Sequence, residues 1–201
     1  MEHSNEERDY RSRLRQQLIE AHGKVDYTYT AHHKMEDRIL SLDKALRILQ
    51  IILTAVSTGG FLATLITNQT ALCWIGGIAA AVSLGLNLYT KDFKLQAEAR
   101  SHKDAADELW SIKEDYVSLV TDMDMLPIDE ICKKRDYLKK ALTDLYKKYP
   151  GTDRKGYKAA QKALKKEEEQ TFQEGEAEKL LPISLRGDSS RQSEEQNGIH
   201  K

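Results

Sequence analysis

Residues 48–90 read ILQIILTAVSTGGFLATLITNQTALCWIGGIAAAVSLGLNLYT and contain no Asp, Glu, Lys, Arg or His. These 43 residues interrupt a chain in which 31% of the 201 residues are charged. A charged side chain near the centre of a bilayer costs at least about 3 kcal/mol, so membrane spans exclude such residues. The run therefore predicts a segment that lies in lipid. The alternative is a hydrophobic hairpin buried in a soluble bundle, although Gly59-Gly60 and Gly76-Gly77 would weaken soluble helices.

The length of this run indicates how it crosses the bilayer. A spanning helix needs about 20 apolar residues at a rise of about 1.5 Å each. The run therefore predicts two spans, about 48–67 and 71–89, joined by the polar turn Asn68-Gln69-Thr70. Basic residues precede the first span and follow the second, and the turn has none. By the positive-inside rule, both termini are predicted to be cytoplasmic in a multi-pass protein of the cell inner (plasma) membrane.

The sequence on both sides of the spans predicts further helices. An N-terminal amphipathic helix is expected over 1–22, and Gly23 is expected to separate it from a helix that enters the first span. The second span is expected to continue without a break until Pro127. The predicted fold class is all-α: a membrane protein with a two-helix transmembrane hairpin, extended by long cytoplasmic helices that form a helical bundle or coiled-coil stalk. The predicted cytoplasmic helices lie at about 91–126, 128–149 and 153–166.

The helix that follows the second span has an apolar seam. Its apolar positions recur at spacings of three and four, a pattern that requires a partner helix. We expect this seam to join copies of the chain in a homo-oligomer. The candidate oligomerisation residues are Leu109, Ile112, Tyr116, Leu119 and Met123.

The composition changes beyond residue 166. Residues 167–201 are rich in Ser, Gln and Glu and cannot bury enough apolar area to fold, so they predict a disordered tail. A weakly structured patch at 180–185 is the expected exception. A solvated tail is the simpler interpretation, and docking of a partner is the alternative.

No pattern in the sequence predicts an enzyme. The chain lacks a Gly-rich phosphate loop, a GxSxG elbow, a CxxC pair and an HExxH motif, so no catalytic residue and no cofactor is expected. The adjacent His32 and His33 point about 100° apart on a helix, which favours a solvated or interhelical face over a metal site. Cys73 and Cys132 lie in different parts of the chain and predict no disulfide. With a net charge of -1, the chain is not expected to bind nucleic acid directly.

One face of the first span carries polar side chains. Polar residues inside a bilayer should face protein or water, so in an assembly of hairpins this face could line a pore. Phe61 interrupts the face and would then form a hydrophobic constriction. The alternative is that the hydroxyl groups bond their own helix or a neighbour, and the sequence does not decide between the two. The candidate pore-lining residues are Gln50, Thr54, Ser57, Thr58, Phe61 and Thr64.

The second span carries small residues at a spacing of four. Gly77, Ala81 and Gly85 form a face that permits close approach of another helix, and they are the candidate helix-packing residues. A second small or polar face, of Gly76, Ala80, Ser83 and Asn87, lies alongside. Such faces predict close packing within the hairpin or between subunits, without choosing between them.

The helices after the spans contain several distinctive segments: Ala99-Arg100-Ser101-His102-Lys103, Glu108-Leu109-Trp110, Tyr116-Val117-Ser118-Leu119, Tyr149-Pro150-Gly151-Thr152 and Gly156-Tyr157-Lys158-Ala159-Ala160. With these segments, the order of the parts resembles the SLATT family, the SMODS- and SLOG-associating two-transmembrane effector domain of prokaryotic conflict systems. The resemblance covers about 14–164, and we therefore expect a SLATT-like domain over 24–166. One departure is Gly156-Tyr157, where many members have Ala-Tyr.

The resemblance implies a function that the residues alone only permit. Members of the family are thought to be toxic effectors of anti-phage defence that open membrane pores, and they accompany nucleotide second-messenger synthases or sensor proteins encoded nearby. The resemblance implies abortive infection, in which depolarisation leads to growth arrest or cell death. It also implies that the protein contacts membrane lipid. The main alternative is a membrane-anchored helical interaction or scaffold module without pore activity. A soluble helical regulator and an enzyme are weaker alternatives.

Overall fold

The computed structural model describes residues 2–67 and 69–182, and helices are the only regular elements within those residues. The predicted all-α fold class is confirmed. The chain divides into two units, residues 1–160 and 161–201. Helix α5 begins in the first unit and ends in the second. The helices are α1 (Glu2–Thr67), α2 (Thr70–Phe93), α3 (Leu95–Asp122), α4 (Ile128–Lys148), α5 (Arg154–Lys166) and α6 (Glu176–Lys179).

Helix α1 is continuous over 66 residues and is therefore about 100 Å long. The predicted break at Gly23 is wrong, because α1 passes through this residue. A glycine inside a helix costs only about 1 kcal/mol relative to alanine. On either side of it, Leu18 and Val25 are fully buried in the core, and their burial offsets that cost.

Helices α1, α3 and α4 share the hydrophobic core of the first unit. Their apolar residues recur at spacings of three, four and seven, so each helix presents one stripe to the others. Leu18 of α1, Leu109 of α3 and Ile131 of α4 are each 0% exposed. A smaller cluster, nearer the spans, joins Ile39 of α1 to Leu95 and Ala99 of α3. Together the two clusters bind α3 along the length of α1 that precedes the first span.

A side chain of α1 satisfies the carbonyl groups at the end of α3. The last carbonyls of a helix have no partner within that helix. The Arg11 guanidinium donates to the carbonyl oxygens of Met123 at 2.6 Å and Leu126 at 3.0 Å. Pro127 then takes an extended conformation and α4 begins at Ile128. The turn between α3 and α4 is thus held by the chain's N-terminal region.

Asp153 caps the start of α5 and joins it to α1. Its Oδ1 accepts the backbone N–H of Gly156 at 2.7 Å, which satisfies a free donor of the first helical turn. The Arg38 guanidinium donates to both Asp153 oxygens, at 3.2 and 2.7 Å. A Cβ atom at Gly156 would lie 2.6 Å from Cγ of Met35, so a larger residue here would require the Met35 side chain to move. The sequence TDRKG thus combines a cap with a close helix contact.

The end of α1 and all of α2 form an apolar hairpin. Each of these helices contains an 18-residue window with a mean hydropathy of 1.8, long enough to cross a bilayer. Only 0% and 11% of the two windows is buried within the protein. A hairpin in the centre of a soluble bundle would be mostly buried, so these values favour the membrane interpretation. α1 ends at Thr67 and α2 begins at Thr70, in the segment where the sequence predicts a turn.

The second span does not continue directly into the next helix. Lys94 has φ 41° and ψ 45°, a left-handed conformation that separates α2 from α3. The prediction of an uninterrupted helix to Pro127 is therefore wrong. A left-handed residue other than glycine costs about 1–2 kcal/mol. The change of direction places Leu95 and Ala99, 7% and 1% exposed, against Ile39, and this burial offsets the cost.

The predicted C-terminal tail is described only in part. Residues 167–182 include the four-residue helix α6, and the exposed Leu180 follows it. The rest of the predicted tail, including part of the 180–185 patch, lies outside the described residues.

Candidate functional site

The predicted pore-lining face lies at the edge of the contact between α1 and α2. Gln50, Ser57 and Thr64 are half-buried, whereas the other three residues are exposed. Phe61 is 60% exposed. The six residues therefore do not form one surface within the monomer. Part of the face packs in the hairpin, and part is available to lipid or to another copy of the chain.

Two hydroxyl groups of this face, those of Thr54 and Thr64, are bonded in the monomer. Thr54 donates to the carbonyl oxygen of Gln50 at 2.9 Å, and Thr64 donates to that of Gly60 at 2.8 Å. The hydroxyls of Thr54 and Ser83 are 3.4 Å apart across the hairpin. The packing alternative of the sequence analysis is thus realised for part of the face. Such internal bonds let threonine remain on a lipid-facing helix at little cost.

Two glycines permit the closest approach between α1 and α2. A Cβ atom on Gly60 would lie 3.0 Å from the carbonyl oxygen of Leu72, and one on Gly76 would lie 3.1 Å from that of Ser57. These distances are too short for a larger residue without movement of the backbone. The hairpin therefore packs backbone against backbone, as small residues permit in membranes.

The predicted helix-packing residues lie elsewhere on α2. Gly77, Ala81 and Gly85 are all exposed, and a Cβ atom on either glycine would meet nothing within 4 Å. At 100° per residue they lie between about 100° and 180° around α2 from Gly76. The hairpin thus uses the second small face, near Gly76 and Ser83, for its internal contact. The first face is left exposed.

The predicted oligomerisation seam is part of the monomer core. Its five side chains are between 0% and 8% exposed and contact apolar residues of α1 and α4. The prediction that they join copies of the chain therefore requires correction. The periodic pattern did require a partner helix, but the partner belongs to the same chain. The residues concerned are Leu109, Ile112, Tyr116, Leu119 and Met123.

A buried histidine pair connects α1 to α3. The Nδ1 atoms of His32 and His102 are 2.8 Å apart, and the two residues are 2% and 1% exposed. One ring must donate its Nδ1 proton and the other must accept it, so both rings cannot be protonated at Nδ1. In the sequence, the apparent partner of His32 is the adjacent His33. Only the fold brings His32 to His102, which is 70 residues away.

Burial makes this pair difficult to protonate. Desolvation, and then the neighbouring His102 and His33, lower the pKa of His32 from 6.5 to about 4. Desolvation also lowers the pKa of His102, against the opposing effect of the Glu98 carboxylate. Two neutral rings that share one hydrogen bond are therefore the stable form at neutral pH. Among the described residues, no three His, Cys, Asp or Glu side chains are grouped so as to hold a metal ion.

A basic cleft lies where the hairpin joins the bundle, between α1 and the junction of α2 and α3. Its volume is about 530 Å³, and Arg47, Lys91 and Lys94 are among its lining residues. Asp43, only 8% exposed, accepts from Nε of Arg47 at 2.8 Å and from Nε2 of Gln96 at 3.2 Å. In the sequence, these basic residues indicate only the orientation of the spans. Lys94, where the unpredicted break occurs, lies in the wall of this cleft.

This architecture matches that of a known protein family. Residues 14–176 match the family model described as SMODS and SLOG-associating 2TM effector domain family 4. Comparisons with curated proteins and with solved structures found no match. The matched range includes both apolar helices and the helices that surround them, so the resemblance to this family is confirmed. The chain belongs to the SLATT family of two-transmembrane effector domains of conflict systems.

Proposed function

We propose that this SLATT protein permeabilises the membrane in which it sits when its conflict system is triggered. Several hairpins would assemble, and the polar face of α1 would line the resulting pore. Depolarisation followed by growth arrest or death of the infected cell is the expected outcome. The proposal includes no catalytic step and no cofactor.

One observation carries this proposal: a single hairpin leaves two specialised faces of its spans exposed. Thr54, Thr58 and Phe61 are exposed on α1, and the Gly77 face is exposed on α2. A second copy that packs against Gly77 and Gly85 would repeat the close backbone contact seen at Gly60 and Gly76. A ring of such contacts would bring the α1 faces of several copies towards a common axis.

We propose the following arrangement in the cell. Both termini and the helical bundle are cytoplasmic, in the inner membrane, because the basic residues flank only the bundle ends of the spans. The bundle is then the part that a second-messenger synthase or sensor protein encoded nearby could reach. Its core already uses the Leu109 seam, so assembly proceeds through the spans.

The first experiment measures membrane potential in cells that express the protein with and without its native operon neighbours. We expect loss of potential only when the neighbours and their trigger are present. Loss of potential without them would show that the protein is not held closed. Full potential under all conditions, with the protein present in the membrane, would contradict pore formation.

A substitution then tests the proposed constriction. We expect Phe61→Ala to depolarise cells and arrest growth without a trigger, because it removes the largest side chain from the proposed lumen. Ile66→Ala is the matched control, since Ile66 is 84% exposed and lies roughly 140° around α1 from Phe61. Unchanged growth with Phe61→Ala, at equal protein levels, would contradict the gate.

A membrane-anchored scaffold is the second candidate function. It is favoured by large aromatic side chains exposed on the bundle: Tyr137 is 71% exposed and Trp110 is 52% exposed. Such side chains are enriched at protein interfaces. Replacement of both spans by an unrelated hairpin of equal length distinguishes the candidates. A scaffold would keep its function, whereas a pore would lose it.

A further inference from the structure

We propose that the basic cleft between α1 and the α2–α3 junction binds the phosphate headgroup of an anionic phospholipid. The cleft is formed by one turn of α1, around Arg47, and by the chain from Asn87 to Ala97. Its volume of about 530 Å³ lies within the range of small-molecule sites. Gln50 belongs both to the cleft and to the proposed pore-lining face, so the inference concerns the hairpin before it assembles.

The charges of the cleft favour an anion. Arg47, Lys91 and Lys94 contribute three positive charges, and Asp43 contributes one negative charge. Within the described residues, neither lysine forms an ion pair. The end of α2 and the start of α3 meet here, so the partial charges of the two helix ends largely offset each other. The side chains therefore carry the attraction.

Asp43 orients Arg47 and leaves it able to bind. The carboxylate accepts from Nε of Arg47, so the two terminal nitrogens of the guanidinium remain for another acceptor. The Arg47 side chain is 60% exposed, whereas that of Asp43 is 11% exposed. A buried carboxylate that fixes one edge of a guanidinium presents the other edge for bidentate contact with phosphate. The amide groups of Gln50 and Asn87 also line the cleft and could donate to further oxygens.

The position of the cleft along the spans identifies lipid as the source of the phosphate. Arg47 directly precedes the charge-free stretch and Lys91 directly follows it, so both lie where the headgroups of a bilayer begin. Basic pockets between spans at this depth bind anionic headgroups. A second, shallower groove shares Arg47 and Gln50 with the cleft and continues along Ile51, Ala55 and Thr58. An acyl chain attached to the bound headgroup would lie in this groove.

The test uses the full-length protein in nanodiscs of equal phosphatidylglycerol and phosphatidylcholine. Native mass spectrometry measures which lipid the protein retains on release. We expect phosphatidylglycerol to be retained over phosphatidylcholine by roughly fivefold or more, as for a site with two unpaired cations. If the protein without any substitution retained the two lipids equally, the proposal would be overturned.

Paired variants then locate the site. The double variant Lys91→Gln/Lys94→Gln should lose most of the preference for phosphatidylglycerol. The control Lys139→Gln/Lys140→Gln makes the same change of charge on exposed positions of α4 and should keep it. Circular dichroism in phosphatidylcholine nanodiscs checks that both variants remain folded. A folded cleft variant that retains phosphatidylglycerol as before, or a control that loses it, would overturn the assignment to the cleft.

A third arm distinguishes lipid from free phosphate. Inorganic phosphate in excess is added to the nanodiscs before release. We expect phosphatidylglycerol to remain bound, because its acyl chain adds contacts along Ile51 and Ala55 that free phosphate cannot make. Displacement by inorganic phosphate would show that the cleft takes a soluble phosphate, and would overturn the lipid assignment.

Discussion

The bundle and the hairpin of this chain bury different kinds of residue, although α1 is part of both. In the bundle, large apolar side chains such as Leu18, Leu109 and Ile131 are fully buried. In the hairpin the arrangement is reversed: Ile66 and Trp74 are 84% and 71% exposed, and glycines occupy the contact. The difference follows from the solvent of each region. Water drives large side chains inward, whereas lipid does not, so spans associate through close backbone packing.

The largest expected effect comes from a cavity in the bundle. Leu109→Ala should lower the free energy of unfolding by about 3 kcal/mol, because it removes a fully buried side chain from a tightly packed core. Val117→Ala, on the same helix but 44% exposed, should cost less than about 1 kcal/mol. Denaturant unfolding followed by circular dichroism measures both. Similar costs for the two variants would show that the α3 seam is not buried in the monomer.

The second expected effect is a pH dependence of the stability of the bundle. Because the pKa of His32 falls to about 4 in the folded protein, the unfolded chain binds more protons between pH 6.5 and 4. The stability of the bundle should be constant above this window and fall by up to about 3 kcal/mol as the pH decreases through it. Unfolding experiments at a series of pH values measure this dependence.

Two variants assign that dependence to the histidine pair. His32→Gln should remove most of it, whereas His33→Gln, at a side chain that is 36% exposed, should retain it. Asp153 contributes separately, because the Arg38 guanidinium and then the Gly156 backbone N–H lower its pKa from 3.8 to about 2. Its contribution is lost only as the pH decreases from 3.8 towards 2. A dependence between pH 6.5 and 4 that survives the double variant His32→Gln/His102→Gln would exclude the pair as its source.

The hairpin offers two adjacent glycines with opposite environments. Gly76→Ala should destabilise the hairpin by about 1 kcal/mol, because its new Cβ would press on the Ser57 carbonyl. Gly77→Ala should leave the monomer unchanged, since nothing lies within 4 Å of its Cβ. Titration of the micelle-bound protein with a denaturing detergent measures both. If Gly77→Ala were the more damaging to the monomer, the assignment of the two faces would be reversed.

The smallest expected effect is at the position where the sequence predicted a break. Gly23→Ala should stabilise the protein by about 0.5–1 kcal/mol, because α1 is continuous there and a Cβ meets nothing within 4 Å. The midpoint of thermal unfolding measures the change. A lower midpoint would indicate that Gly23 is needed for a bend.

Features that depend on local composition could be predicted from the sequence. The absence of charges over 48–90 indicates the spans, and Pro127 and Tyr149-Pro150-Gly151 mark interruptions near the ends of α4 that the structure also has. These signals are local because a charge in lipid or a proline in a helix is costly whatever the rest of the fold does. Membership of the family followed from the same order of parts.

Features that depend on tertiary contacts could not be predicted. The seam from Leu109 to Met123 has the same periodicity whether its partner is α1 of the same chain or a second copy. Lys94 takes a left-handed conformation for the burial of Leu95, a gain that no local pattern reveals. The contact of His32 with His102 joins residues that are far apart in the chain. For the same reason the sequence could not choose between Gly76 and Gly77 as the internal contact.

The unbroken course of α1 has a mechanical consequence. Because one continuous helix contains both His32 and Phe61, a displacement of α1 in the bundle would also displace the first span. The returning chain is interrupted at Lys94, so α2 and α3 do not form one continuous helix. The first span is therefore continuous with a helix of the bundle, whereas the second span is connected to the bundle through a break. A movement that begins in the bundle, in water, would reach the lipid through α1.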